Sequence, residues 1–316
     1  MPSAANAAFG TAARVLVLGI GGGGDVVGAL AVGRQIERLG TEVEVGGVSW
    51  ERFAVDPHPG PRRLEELSGI ARIAPAAALA GAEASTPEGV RICEGGMARH
   101  LGRDVALIDI HDGPAAIAEG IVAACGALRC DLVVLCDVGG DVLAGGGEPG
   151  LASPLCDALL LASAAHLPAG LPAVGSVIGA GCDGELTAEE VLERVAALAL
   201  VGGWIGADAI DAEIAAEIEA AARLVPTEAS LQAARCARGE VGPTPIRGGR
   251  RIVELGPIGA LTFHYDPLIA IGSAAPLAAA VERATSLTEA QDALASLGVR
   301  TELDYERERA AEAAGG

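Results

Sequence analysis

Residues 15–30 read VLVLGIGGGGDVVGAL. A short, unbroken apolar run stops at four consecutive glycines, and an amphipathic segment opens on an acid, Asp25. Such a run is too short for a buried helix and reads as a strand covered on both faces. The glycines then read as a tight turn into a helix. This unit recurs along the chain. Strands are expected over Arg14–Ile20, Glu42–Trp50, Asp104–Ile110, Asp131–Cys136 and Ala173–Ile178. Helices are expected over Asp25–Leu39, Pro114–Leu128, Ser153–His166 and Thr187–Leu200. The last of these opens on a capping box, with Thr187 followed three residues on by Glu190. Alternation of this kind predicts a Rossmann-like, doubly wound α/β fold with a mostly parallel sheet.

The pattern changes after residue 205. Acidic helical stretches (Ala207–Leu224, Glu228–Arg238) precede an expected β pair, Arg251–Leu255 with Ala260–Tyr265. Two short helices and an extended tail, RTELDY, follow. Residues 64–103 are mixed in character. The first dozen residues and the tail beyond Arg307 read as disordered. We therefore expect a single domain over 1–316, with a parallel α/β core at 14–205 and a C-terminal α+β elaboration at 206–316 packed on it.

In an open parallel sheet, ligands bind beyond the carboxyl ends of the strands. The loops expected there are GIGGGGD, WERFAVDPHPGPRR, IDIHDGP, CDVGGDVLAGGGEPGLASP and GAGCDGELT. Glycines and acids accumulate in all five. Gly19, Gly21 and Gly24 satisfy a G-x-G-x-x-G pattern, so the N–H groups of Gly21, Gly22, Gly23 and Gly24 are candidates to receive an anion. Asp25 either caps the helix, holds a metal that bridges to phosphate, or binds hydroxyl or amine groups of a ligand. Asp137 and Asp141 are separated by a glycine pair and suit a hard cation such as Mg²⁺, or acid–base work. Asp183 joins them from the next loop. Glu148 and Ser153 lie further along and complete the candidate ligand set. Asp157 reads as a helix-surface acid, and Glu185 as a residue that stabilises its helix.

His111 lies between Asp109 and Asp112 and is a candidate base or ligand. No second histidine stands at ligand spacing, so zinc is not expected. Arg52 and Arg62 share a proline-rich loop that can close over an anion. Glu51 ends the second strand and could take the ribose hydroxyls of NAD(P), although its distance from Gly19 exceeds the usual ~20 residues.

Composition removes several alternatives. The 22 basic residues are all arginine, so lysine-dependent P-loop, Schiff-base and pyridoxal-phosphate chemistries are excluded. A net charge of −20 opposes nucleic acid and anionic membranes as partners, but leaves a small anionic substrate open. Seven cysteines without a C-x-x-C pair read as reduced, buried thiols. No segment reads as a signal peptide or a membrane span, so a cytoplasmic protein is expected. Its alanine-rich helices make a homo-oligomer plausible.

GIGGGGDVVGAL, SWERFAVDPHPGP, DVGGDVLAGGGEPGLASPLCDALLL, GAGCDGEL and RTELDYE together resemble the archaeal and bacterial family catalogued as domain of unknown function 1152. The resemblance spans nearly the whole chain and implies one integrated unit. It carries no activity with it. The residues themselves favour an enzyme using Mg²⁺-assisted phosphoryl transfer or hydrolysis on a small phosphorylated or nucleotide-like metabolite. Its alternatives are an NAD(P)-dependent oxidoreductase and a non-catalytic ligand-binding protein.

Overall fold

The computed structural model describes residues 2–315. In chain order the main elements are α1 (Ala4–Thr11), β1 (Arg14–Gly19), α2 (Asp25–Glu37), β2 (Glu42–Val48), β3 (Ser68–Ala74), β4 (Ala77–Ser85), α3 (Cys93–Leu101), β5 (Val105–Ile108), α4 (Gly113–Leu128), β6 (Leu132–Val138), α5 (Pro154–Ser163), β7 (Ala173–Ile178) and α6 (Ala188–Leu200). They continue through β8 (Trp204–Ala209), α7 (Ala212–Ala221), α8 (Ala229–Ala237), β9 (Gly242–Ile246), β10 (Arg251–Leu255), β11 (Leu261–Tyr265), α9 (Pro267–Ser273), α10 (Pro276–Val281), α11 (Leu287–Ser296) and α12 (Glu302–Gly315).

Nine strands form one mixed sheet in the order β3-β4-β5-β2-β1-β6-β7-β11-β8. The centre, β5-β2-β1-β6-β7, is parallel. Successive residues of β1 enter opposite cores: Leu16 and Leu18 face one, Val15 and Val17 the other. Both faces being covered explains why these strands are apolar without alternation. Helix α2 packs on one face and α4 and α5 on the other. The chain runs from β1 to β2 on one side, then returns across β1 to place β6 on the other. The reversal opens a crevice at the carboxyl ends of β1 and β6.

Outside the parallel centre the structure departs from expectation. Residues 64–103 contain the β3–β4 hairpin and α3, which extend the sheet at one edge. Arg251–Leu255 does not pair with Leu261–Tyr265. It pairs backwards with β9, and β11 enters the main sheet antiparallel between β7 and β8. Pro243 and Pro245 hid β9 from sequence reading, yet a two-stranded ribbon tolerates proline wherever no ladder N–H is required. Residues 207–209, expected to open a helix, belong to β8. Near both ends the described chain is helical, in α1 and α12. Phe9 and Ala5 anchor α1 in the core, and the expected extended tail is α12. The capping box of α6 is present, with the Glu190 N–H donating to Thr187 Oγ1 at 3.2 Å and the Thr187 N–H to the Glu190 carboxylate at 2.7 Å. All seven cysteines are free and buried. Among the described residues no helix is long and apolar enough to cross a membrane.

Gly19 is fixed by space. A Cβ there would lie 2.4 Å from the carbonyl carbon of Asp25 and 2.6 Å from the amide nitrogen of Val26. Backbone atoms at a helix start cannot yield as a flexible side chain can. Gly19→Ala should therefore cost about 3 kcal/mol of unfolding free energy, at the upper end of overpacking. Gly147→Ala, with no atom within 4 Å, should change stability by less than about 0.5 kcal/mol. Equilibrium denaturation of the two variants measures the difference.

Candidate functional site

Three carboxylates meet at the crevice, each delivered by a different layer. Asp25 stands in the first turn of α2, Asp137 near the end of β6, and Asp157 in the first turn of α5. All three are buried, with Asp137 and Asp157 each 1% exposed. One oxygen from each lies within 4.8 Å of the others. Asp25 Oδ2 accepts the N–H of Gly21 at 3.1 Å and that of Val138 at 3.4 Å. Neither oxygen of Asp137 has a hydrogen-bond partner, nor does Oδ1 of Asp157. A second cluster, Asp141, Asp183 and Glu185, meets the same distance condition. Either cluster can hold a metal ion.

The glycines make this convergence possible. A Cβ on Gly21 would sit 2.6 Å from Asp25 Oδ2 and 3.1 Å from Asp157 Oδ2. A Cβ on Gly139 would sit 2.4 Å from Asp183 Oδ1, and the φ of +127° there is open to glycine. The role expected for the glycine turn is corrected accordingly. The Gly21 N–H is taken by Asp25, and the Gly23 N–H by the Trp50 carbonyl at 2.8 Å. Carboxylates stand against the main chain where a phosphate was expected. Of the four glycines, Gly24 lines the adjoining cavity while Gly21, Gly22 and Gly23 do not.

That cavity measures about 740 Å³. Asp25, Asp141, Asp157 and Asp183 reach it from the sheet, Arg52 from the loop after β2, and Glu302 from α12. Desolvation raises Asp25 to about 6 against the opposing Arg52 charge, and raises Asp183 to about 7 with help from Glu185. Desolvation also carries Asp137, Asp141 and Asp157 well above the usual aspartate range, and each is pushed further by its neighbours' charges. Burial lifts Glu302 to about 7, although its carboxylate accepts the N–H groups of Leu155 and Cys156 at 3.0 and 2.8 Å. Burial works against the charge of Arg52, and Asp25, Glu185, Glu302 and Asp141 outweigh it, so its pKa rises.

Glu185 behaves differently. Burial opposes its charge, but Arg247, Arg251, Ser153 and Arg52 hold its pKa down. Its carboxylate accepts the Ser153 hydroxyl at 2.6 Å and the N–H groups of Ala152 and Ser153 at 2.8 Å. Ser153 thus reaches the cavity as a support for Glu185. Of the acids the loop pattern singled out, Asp141 and Asp183 share the second cluster and line the cavity, whereas Asp137 belongs to the first cluster and is not among the lining residues.

Four expected site residues lie elsewhere. The imidazole of His111 is engaged by Asp109 at 2.7 Å, away from the cavity. Arg62 forks onto Asp56 at 2.7 and 3.0 Å and also bonds Glu88. Glu51 accepts the Cys93 N–H and thiol, which seals it away from any ribose. Glu148 is held by Gly145, Gly146 and Arg194. Sequence reading missed Asp157, Glu302 and the arginines at 247, 250, 251 and 309 that line the cavity.

A family model described as a protein of unknown function, DUF1152, matches residues 16–310. No curated protein and no solved structure matches the chain.

Folding favours the protonated form of Asp25, Asp183 and Glu302. Their stabilisation is complete below their unfolded values and is lost as pH rises through about 6 to 7. Carboxylates held down by arginine, such as Glu185 and Asp211, titrate below this window. The metal-free protein should therefore melt several degrees lower at about pH 8 than at about pH 5. Added Mg²⁺ or Mn²⁺ should restore the loss at the higher pH. Calorimetry in EDTA showing a melting temperature that rises with pH would contradict this assignment.

Proposed function

We propose that this chain, which belongs to the DUF1152 family, is a divalent-cation-dependent enzyme that acts on a small anionic metabolite by phosphoryl transfer or hydrolysis. The observation that carries the reading is Asp137. It is 1% exposed, neither of its oxygens is hydrogen-bonded, and it faces Asp25 and Asp157 within 4.8 Å. A buried acceptor without a donor is costly, and several carboxylates crowded together must share protons or a cation.

The donors in both clusters are carboxylate oxygens, with no histidine or cysteine among them. Such a set favours a hard ion, Mg²⁺ or Mn²⁺, over zinc. A cation held by Asp25, Asp137 and Asp157 would offset the negative charge of the floor and polarise a substrate oxygen. Arg52 supplies a fixed positive charge facing the same cavity. Asp183, at about 7, is suited to give or take a proton near neutral pH. Asp141 lies beside it and either shares that proton or adds a second cation ligand. The net charge of −20 supports a small molecule over nucleic acid or an anionic membrane as the partner. The dinucleotide alternative loses the support of Glu51, which is bonded to Cys93.

Isothermal titration with Mn²⁺ should show binding that Asp137→Asn weakens by about 100-fold or more, a loss at least as large as second-shell mutations produce. Phosphate release from a panel of nucleotides and sugar phosphates should require the cation and fall in parallel in that variant. Mn²⁺ affinity unchanged by Asp137→Asn would overturn the reading.

A further inference from the structure

We propose that the β9–β10 ribbon forms a phosphate-binding rim over the carboxylate floor, with Arg250 and Arg251 gripping a phosphoryl group of the substrate. The inference deepens the function proposed above by naming the substrate class, a phosphorylated compound, and the residues that select it.

Its basis is the way arginine is distributed. Most arginines of this chain are committed to ion pairs at the surface, as Arg38 is with Asp211 and Arg238 with Glu219. Among the described residues seven arginines form no ion pair within 4.0 Å, and three of them, Arg52, Arg250 and Arg309, line the cavity. Arg247 and Arg251 both turn to one carboxylate, Glu185, at 3.2 and 3.7 Å. Two guanidinium groups share that acid, and Arg250, without an ion pair, stands beside them on the cavity. Arg251 Nη1 is buried without an acceptor. In a chain this acidic, Arg52, Arg247, Arg250, Arg251 and Arg309 set fixed positive charge against the carboxylates of one cavity.

The ribbon is built to present these side chains. Arg247 occupies the left-handed region, with φ of +52°, in the turn joining β9 to β10. Its N–H donates to Glu228 at 2.8 Å, and its carbonyl accepts Nε of Arg250 at 3.0 Å. That second bond engages Arg250 through Nε and leaves its terminal nitrogens available. Glu185 belongs to the cluster with Asp141 and Asp183, so the rim adjoins the carboxylate floor. A phosphoryl dianion spreads its charge over three oxygens and can accept more guanidinium forks than the two oxygens of a carboxylate.

The test uses EDTA-treated full-length protein and isothermal titration with pyrophosphate, AMP, adenosine and citrate. Pyrophosphate and AMP should bind, and adenosine should not. Arg250→Gln should raise the pyrophosphate Kd about tenfold, and Arg250→Gln/Arg251→Gln further still. Asp137→Asn should bind pyrophosphate at least as tightly as wild type, so failure of the cation reading leaves this result standing. Failure of the rim likewise leaves Mn²⁺ binding intact. Three outcomes overturn the proposal: no pyrophosphate binding, citrate binding as tightly as pyrophosphate, or unchanged affinity in Arg250→Gln. Arg250 is exposed, so the single variant decides the matter even if the double variant fails to fold.

Discussion

Like charges buried close together organise this molecule. Asp25, Asp137 and Asp157 come close enough to share one ion, in a place where none is well solvated. Carboxylates at such spacing cannot all ionise in a low-dielectric site. Their pKa values rise accordingly, because the buried donors around them are too few to offset the charge. Two N–H groups serve Asp25 and none serves Asp137. Glu185 shows what a satisfied carboxylate looks like in the same surroundings: two backbone donors, one hydroxyl and two arginines keep it charged. The contrast is between a carboxylate with its hydrogen bonds made and one, Asp137, with none.

The fold delivers this crowding cheaply in chain length. Reversal of strand order between β1 and β6 leaves a gap that no connection crosses. Helices from opposite faces point their first turns into that gap. Each helix start is electropositive, which favours an acid there. Asp25 and Asp157 therefore do two things at once, stabilising α2 and α5 while facing each other across the strand ends. Glycine at positions 21 and 139 removes the side chains that would hold the acids apart.

The parallel core and the acids that follow its strands were legible because both signals are local. An apolar run, a glycine turn and an acid place Asp25, Asp137, Asp141 and Asp183 near the carboxyl ends of the strands once the sheet is parallel, in two clusters. Asp157 was misread as a surface residue, although its neighbours held the correction. In PLCDALLLAS the helix is apolar all round, and a helix without a polar face offers no solvent side on which to place an acid. The remaining parts had no local signature. Glu302 reaches the cavity because α12 folds back against α5, a contact across 147 residues in the case of Leu155. The arginine rim depends on Arg251–Leu255 pairing with a proline-bearing segment instead of its downstream neighbour. Pairing partners are a tertiary choice, and propensity alone does not decide them. His111, Arg62 and Glu148 carried the right chemistry, but each had a nearer partner in Asp109, Asp56 and Arg194.

The absence of lysine gives the site a particular electrostatic character. A buried lysine shifts its pKa readily and can lose its charge, whereas arginine keeps its charge throughout the accessible range. Every cation facing this cavity is therefore fixed, and the carboxylates supply the variable charge. As pH rises, negative charge accumulates on the floor while the rim stays constant. On the proposed function, the demand for a divalent cation would grow with it, while the rim's positive charge stays available to an anion. On the function proposed above, a metal-bound phosphoryl compound would match both halves of the cavity, its cation meeting the carboxylates and its anion the arginines.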